Sequence, residues 1–244
     1  MENGENGTLK LKQQDFLQRK ALLHRIEQRH ATRTDRLQIG KLQFEFTRVA
    51  NPGGVEVPAE QNADPGTGAF EQPYWAESWD SAFVLAEWLT NRLIKDAAVL
   101  DLGCGMGLVG TVAAALGAVV TMVDAATPAL LFSRYNTLAW SHRVSIQKVD
   151  WRRDQLDRSF QWILGSDVLY DQADWPFLHE FWSKQLAPCG TVVLVEPGRR
   201  TGDKFLQWIQ TQPWQIEMQE VTGQAIVPTR IIQLRPLAPK ANRS

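Results

Sequence analysis

From Pro73 onward, short apolar runs alternate with stretches whose apolar residues recur at three- and four-residue intervals. The runs Ala98–Leu102, Val119–Val123, Val144–Lys148, Trp162–Gly165 and Thr191–Glu196 read as strands. Between them, helical spacing is expected from Ser78 or Asp80, either of which can cap it, to about Lys95, then over Leu108–Leu116 and from about Thr127 to Trp140. Two further helices are expected around Pro176–Leu186, closed by Pro188-Cys189-Gly190, and at about Asp203–Thr211. Repeated strand–helix units imply an α/β fold with a parallel sheet covered on both faces and ligands at the carboxyl ends of its strands. The last two strands, near Gln215–Val221 and Arg230–Leu234, have no helix between them and imply an antiparallel hairpin at one edge.

The N-terminal third is patterned differently. Residues 1–9 read as disordered, and a charged helix is expected from Gln14 to about Arg33, with Phe16, Leu22, Leu23 and Ile26 as its apolar stripe. Its other face carries Arg19, Lys20, Arg25, Arg29 and Arg33, read as a solvated face in preference to a docking surface for an acidic partner. Leu37–Val49 alternates as a β-hairpin does, turning near Gly40-Lys41. Asn51–Gly68 is a long Pro/Gly-rich loop of the kind that often covers a site. The chain therefore divides into an N-terminal extension, 1–72, and an α/β domain, 73–244.

Composition adds bounds. With 244 residues, 44% of them hydrophobic, one α/β core with an extension is sufficient. A formal net charge of −1 argues against a general nucleic-acid or membrane binder. Cys104 and Cys189 are too few for a disulfide framework or metal cluster, so a reducing compartment is the simplest setting. The Glu-, Asn- and Gly-rich N-terminus lacks the apolar run of a signal peptide, and no apolar stretch is long enough to span a bilayer. The expectation is a soluble, cytoplasmic protein whose oligomeric state the sequence does not disclose.

Candidate chemistry is concentrated in Val99-Leu100-Asp101-Leu102-Gly103-Cys104-Gly105-Met106-Gly107. A buried strand leads into three glycines spaced by two. Glycine there removes the Cβ atoms that would hold a ligand off, and the next helix offers backbone N–H groups at its N-terminus. Gly105, Gly107 and Gly110 also satisfy the dinucleotide pattern, with Asp124 at about the spacing of a ribose-binding acid. That alignment puts Asp101 and Gly103 inside the first strand, where an unpaired carboxylate is costly. Aligned on Gly103 instead, Asp101 ends the strand, where it can accept from loop amides or face a cation. The second alignment favours S-adenosylmethionine, which carries ammonium and sulfonium groups, over a pyrophosphate. A plain tight corner is the remaining reading.

This turn resembles motif I of the class I S-adenosylmethionine-dependent methyltransferases. Beyond it, Pro73-Tyr74-Trp75-Ala76-Glu77-Ser78-Trp79-Asp80-Ser81-Ala82, Asp150-Trp151 and Ser166-Asp167-Val168-Leu169-Tyr170 resemble the seven-β-strand protein lysine methyltransferases. That branch holds the electron-transfer-flavoprotein β-subunit and chaperone lysine methyltransferases. The resemblance runs from about residue 37 to the C-terminus; motif I marks only the superfamily, and the combination of motifs is more specific. It implies a Rossmann-like, doubly wound seven-stranded sheet of order 3-2-1-4-5-7-6 with the last strand antiparallel, preceded here by the helix and hairpin. It implies S-adenosylmethionine as cofactor, with Gly103, Cys104 and Gly105 against its methionine part and Asp101 and Gly107 completing the turn. Asp124 is expected on both ribose hydroxyls, a pairing that suits any carboxylate meeting a diol, although it could instead cap the next helix. Trp79 and Trp151 border the cofactor in this scheme, with Trp151 near the adenine, Asp150 on its amino group and Ser166 beside it through the backbone.

Asp167 and Tyr170 are the catalytic candidates. Methyl transfer is an in-line displacement, so aligning and desolvating the nucleophile carries the rate, and a lysine must also shed its proton. An acid at the strand tip orients the ammonium and helps the proton leave; a tyrosine narrows the pocket and stabilises the cationic product. Amide-nitrogen and adenine methyltransferases carry Asn/Asp-Pro-Pro-Tyr/Phe at this place. Val168 and Leu169 replace both prolines, which counts against glutamine or DNA adenine as acceptor. The structural alternative is that Asp167 caps a helix and Tyr170 packs. The expected function is methylation of lysine side chains in a protein substrate, without a nucleic-acid or membrane partner. Alternatives are a small-molecule N- or O-methyltransferase, a catalytically silent cofactor-binding interaction protein and, most distant, a dehydrogenase. Glu77 faces the channel or serves a helix dipole, and Glu196-Pro197-Gly198-Arg199 rims the pocket or merely turns. His24, His30, His142 and His179 lack metal-ligand spacing, and no metal is expected.

Overall fold

The computed structural model describes residues 16–55, 74–77, 80–221 and 228–237. The expected disordered tail at 1–9, most of the Asn51–Gly68 loop and Trp79 lie outside the described residues. Strand alternation decides the layers. In β3 (Ala98–Leu102), Val99 joins one hydrophobic cluster while Leu100 and Leu102 join the other. The same split recurs in β4 (Val119–Asp124), β6 (Phe160–Ser166) and β7 (Leu186–Glu196), so the sheet needs cover on both faces. One face receives α1 (16–27), α2 (Asp80–Leu89), α3 (Leu108–Ala115) and α4 (Thr127–Asn136). The other receives α5 (Trp175–Gln185) and α6 (Arg200–Ile209), which bury Trp175, Trp182 and Phe205 against it.

With β5 (Val144–Lys148), β8 (Trp214–Val221) and β9 (Thr229–Pro236), the sheet order is β5-β4-β3-β6-β7-β9-β8. Counted from β3, that is 3-2-1-4-5-7-6, as the resemblance implies. Strands β3 to β7 are parallel, and β9 runs antiparallel to both β7 and β8. The carboxyl ends of β3, β4 and β6 therefore open on one edge of the molecule.

Among the boundaries that differ from expectation, α4 ends at Asn136 and not near Trp140, and three others differ by more. Helix α1 ends at 27, and β1 (Thr32–Ile39) pairs along its whole length with β2 (Leu42–Val49), from Thr32↔Val49 to Ile39↔Leu42. The β-branched Thr32 and Thr34 and the pairing partner outweigh the helical spacing of Arg29 and Arg33. Helix α2 stops at Leu89, where the Thr90 hydroxyl donates to the Glu87 carbonyl at 2.7 Å. Helix α5 passes straight into β7. Pro188-Cys189-Gly190 lies within that strand as an irregularity where pairing with β6 slips, and Cys189 takes a φ of 61°.

The hairpin is bound into the α/β core. Leu22, Ile26, Ile39, Phe46 and Val49 belong to the same cluster as Leu85, Val112 and Phe132. The polar joint is Asn136, which ends α4 at 7% exposure. Its Oδ1 accepts from Thr47 N–H at 2.9 Å, and its Nδ2 donates at 2.9 Å both to the Thr47 carbonyl and to that of Met106 in the glycine turn. Val49 N–H adds a 3.4 Å bond to Met106 Sδ. Asn136→Ala leaves three buried backbone groups without partners, each costing about 1–3 kcal/mol. A loss of about 3 kcal/mol or more is expected in urea unfolding; an unchanged midpoint would mean that apolar packing alone holds the hairpin.

Candidate active site

The glycine turn requires backbone that other residues avoid. Gly103, Gly105 and Gly107 have φ of 65°, 52° and 90°. A Cβ at Gly103 would stand 2.8 Å from Val168 Cγ1 and 3.6 Å from the Trp151 ring, and one at Gly105 would stand 3.4 Å from the Trp75 carbonyl. By lacking side chains these two glycines let Val168, Trp151 and the Trp75 backbone come close to the turn. At Gly107 the constraint is packing, with Met122 Cε at 2.7 Å and Ser133 Oγ at 2.9 Å from the same imagined atom.

Four amides of the turn are used internally, contrary to the expectation that they face a ligand. Cys104 N–H donates to the Val123 carbonyl at 2.9 Å, Gly105 to Asp124 Oδ2 at 2.9 Å, Gly107 to the Cys104 carbonyl at 2.8 Å and Gly110 to Asp101 Oδ2 at 2.8 Å. Ser133 Oγ donates to the Gly105 carbonyl at 2.7 Å. A pyrophosphate needs such amides, and here two of the four are held by carboxylates and two by backbone carbonyls. Asp101 lies one residue inside the end of β3, at 1% exposure. Its burial therefore does not separate the two alignments as the sequence argument supposed. Use of the amides distinguishes them better, since Gly105 and Gly110 are already held by carboxylates.

The electrostatics agree. Burial, with the charge of Asp124 added, pushes the Asp101 carboxyl up to about 7 against the pull of the Gly110 N–H. Burial also raises Asp124, opposed by amide bonds from Ala126, Gly105 and Ala125. The Cys104 thiol is pushed up by burial first and then by both acids, so it stays neutral, 3.6 Å from Ser133 Oγ. Asp124 Oδ1 accepts from the N–H of Ala126, the residue preceding α4, at 2.8 Å, and its Oδ2 accepts from Gly105 N–H in the turn, while no side chain caps α4.

Ser166, half-buried, ends β6, and Trp151 follows β5 against Gly103. Asp150 closes its own turn, accepting from Arg152 N–H at 3.0 Å, with Arg153 at 3.5 Å. Asp167 follows Ser166 with a φ of 56°, its N–H donating to the Val195 carbonyl at 2.8 Å. Its carboxylate is buried and receives Arg199 Nη1 at 2.8 Å and Nη2 at 3.1 Å. Burial pushes this carboxyl up and the Glu196 charge adds to that, while Arg199 pulls it down. Tyr170 is 44% exposed, its ring 5.3 Å from that of Tyr74 at 41°. The structure thus brings Gly103, Gly105, Asp101, Asp124, Trp151 and Asp167 to one strand edge, with Tyr170 at its rim.

Sequence reasoning missed Ser133 and Asn136, which tie down the turn's carbonyls, and the pairing of Arg199 with Asp167. A helical Ser or Asn carries no local signal, and Arg199 lies 32 positions from its partner.

A sequence profile described as lysine methyltransferase matches residues 74–212, more than half of the chain. The chain is 38% identical over 114 residues to protein N-lysine methyltransferase METTL21A of Xenopus tropicalis, covering 41% of this chain and 53% of that protein. It is 34% identical over 138 residues to the electron transfer flavoprotein beta subunit lysine methyltransferase of Danio rerio, covering 53% and 52%. The chain spans about half the length of the curated relatives it matches. In structure it resembles N-methyltransferase NodS from Bradyrhizobium japonicum in complex with S-adenosyl-L-homocysteine, with TM-score 0.53 and 20% identity over 64% of this chain and 83% of that one. It also resembles ribosomal protein L11 methylase from Lactobacillus delbrueckii subsp. bulgaricus, with TM-score 0.54 and 19% identity over 66% and 80%. At such identities the structures show the fold alone. The profile match takes in the Tyr74 turn, the glycine turn, Asp124, Asp167 and α6, and with it the chain belongs to the lysine methyltransferase family.

Proposed function

We propose that this protein transfers a methyl group from S-adenosylmethionine to lysine side chains of a protein substrate. The observation that carries the reading is the buried, arginine-paired Asp167 at the tip of β6, one residue before Val168, which packs against Gly103 of the glycine turn. When bound, the cofactor supplies a methyl group on a sulfonium. Gly103 and Gly105 admit it by lacking side chains, Asp101 opposes its ammonium, and Asp124 accepts from its ribose hydroxyls. Trp151, Asp150 and the Ser166 backbone border its base. Asp167 accepts a hydrogen bond from the incoming ammonium and fixes the nitrogen's approach; the proton then leaves to solvent, and the neutral amine attacks. Tyr170 and Tyr74 form an aromatic wall at the mouth, suited to a methylated cation. A protein acceptor is supported by the names of the curated relatives, which are protein lysine methyltransferases.

Incubation with methyl-labelled S-adenosylmethionine and a cell extract, with the labelled residue mapped by mass spectrometry, tests this directly. A discrete protein bearing methyl-lysine is expected; label confined to small molecules would overturn the acceptor class. The cofactor assignment has its own pH signature. Below about pH 7 Asp101 is protonated and offers no charge to an ammonium, so affinity for S-adenosylhomocysteine should rise between pH 5.5 and 7. Calorimetric titration should show this rise in the wild type and a flat profile in Asp101→Asn. Asp167→Asn should lower kcat by about 100-fold or more, the usual scale of acid–base assistance, while S-adenosylhomocysteine affinity stays within about threefold. Equal losses in both would remove Asp167 from the chemistry.

A further inference from the structure

Asp167 is an unusual choice for a group that must stay ionised, because its side chain is only 5% exposed. A carboxylate that deep becomes neutral unless a cation or several donors meet it. The structure supplies one cation in a fixed fork, with Arg199 Nη1 and Nη2 each meeting one carboxylate oxygen. A two-point pairing of this kind uses one acceptor position on each oxygen and leaves the others for a further donor.

The arginine is itself held by its main chain. Arg199 N–H donates to Glu196 Oε2 at 3.1 Å, and its carbonyl accepts from Arg230 Nη2 at 3.1 Å. Glu196 and Arg230 are buried and paired to each other, and Arg230 Nη1 also meets Asp203 Oδ1 at 2.5 Å. Helix α6 makes room for this pair with Gly202, where a Cβ would overlap the Glu196 carboxylate and stand 2.6 Å from Arg230 Nη2. Elements β7, β9 and α6 thus fix the backbone from which one guanidinium reaches β6. Among the described residues the cluster joins the guanidinium groups of Arg199 and Arg230 to the carboxylates of Asp167, Glu196 and Asp203.

We infer that Arg199 is a positioning residue for methyl transfer, holding the Asp167 carboxylate charged and in one orientation so that it can receive a substrate ammonium. This rests on the proposed role of Asp167. Among the described residues, the charged groups that act on Asp167 are Arg199, from the turn between β7 and α6, and Glu196, from β7. Without Arg199, burial and Glu196 both favour the protonated acid. Lysine can restore the charge at that place but not the two-point geometry.

The test compares Arg199→Gln and Arg199→Lys with the wild type. The Asp167 carboxyl is titrated by carbon NMR of aspartate-labelled protein, its signal assigned by loss in Asp167→Asn. S-adenosylhomocysteine affinity serves as the check on folding. In Arg199→Gln the Asp167 midpoint should rise by one pH unit or more, and kcat/KM for the methylated protein should fall, reaching about a tenfold loss at a pH one unit below that midpoint. That loss should shrink as pH is raised toward 9, and Arg199→Lys should recover part of both effects. An unmoved Asp167 midpoint, or a loss equal at every pH, overturns the inference. So does a lower KM in Arg199→Gln, which would make the arginine a plug. If the wild type methylates no lysine, the proposed function fails, while the carboxyl titration still decides what Arg199 does to Asp167.

Discussion

Two carboxylates hold the glycine turn in shape, and the rest of the site depends on how they do it. Asp101, inside β3, takes the Gly110 N–H at the start of α3, and Asp124, ending β4, takes Gly105 and Ala126. Backbone donors are thereby gathered around buried acids, and the turn closes with its amides directed inward. The cost is burial, which pushes both carboxyls up, with the charge of Asp124 adding to the displacement of Asp101. A cationic ligand relieves that cost and a phosphate aggravates it. The two residues that hold the turn in shape are therefore also the ones that favour a cation in the proposed site.

The turn is secured from a second direction by the N-terminal hairpin. Asn136 bonds the Thr47 backbone on one side and the Met106 carbonyl on the other, and Ser133, one turn earlier on α4, holds the Gly105 carbonyl. Helix α4 is thus a bracket between the extension and the glycine turn. A hairpin that looks peripheral along the chain is mechanically part of the site. Buried polar joints of this kind tolerate little slack, because each unmet backbone group costs as much as a lost hydrogen bond.

What could be read from the chain was whatever depends on neighbours in sequence. Apolar alternation located the strands, the missing helix between the last two strands gave the antiparallel edge, and the resemblance supplied an order that the structure reproduces. The glycine spacing marked the turn. What could not be read depends on residues far apart in the chain: Arg199 reaching Asp167, Arg230 reaching Glu196, and Asn136 reaching Thr47. Local spacing also misled where tertiary pairing overruled it. Thr32–Ile39 became strand because β2 was there to pair with it, and β7 began at Leu186 because β6 extended its ladder past the Pro188 irregularity. The amides of the turn illustrate a subtler limit: their number was legible, their direction was not.

The balance at Asp167 follows from where charge moves in the proposed reaction. A lysine attacks as a neutral amine and leaves as a methylated ammonium, so positive charge grows on the nitrogen during transfer. A carboxylate beside that nitrogen interacts more strongly with the transition state than with the reactive amine, which is the condition for acceleration. An unpaired carboxylate would also hold the substrate as an ammonium, the form that cannot attack. Sharing Asp167 with Arg199 weakens that ground-state grip while preserving the charge that the transition state needs. Asp101 and Asp124, by contrast, are bonded by no arginine among the described residues, and burial pushes both toward neutrality until a cation arrives. In the proposed reaction one end of the site gains its full charge as the cofactor binds, and the other keeps a charge shared with an arginine for the step in which positive charge grows.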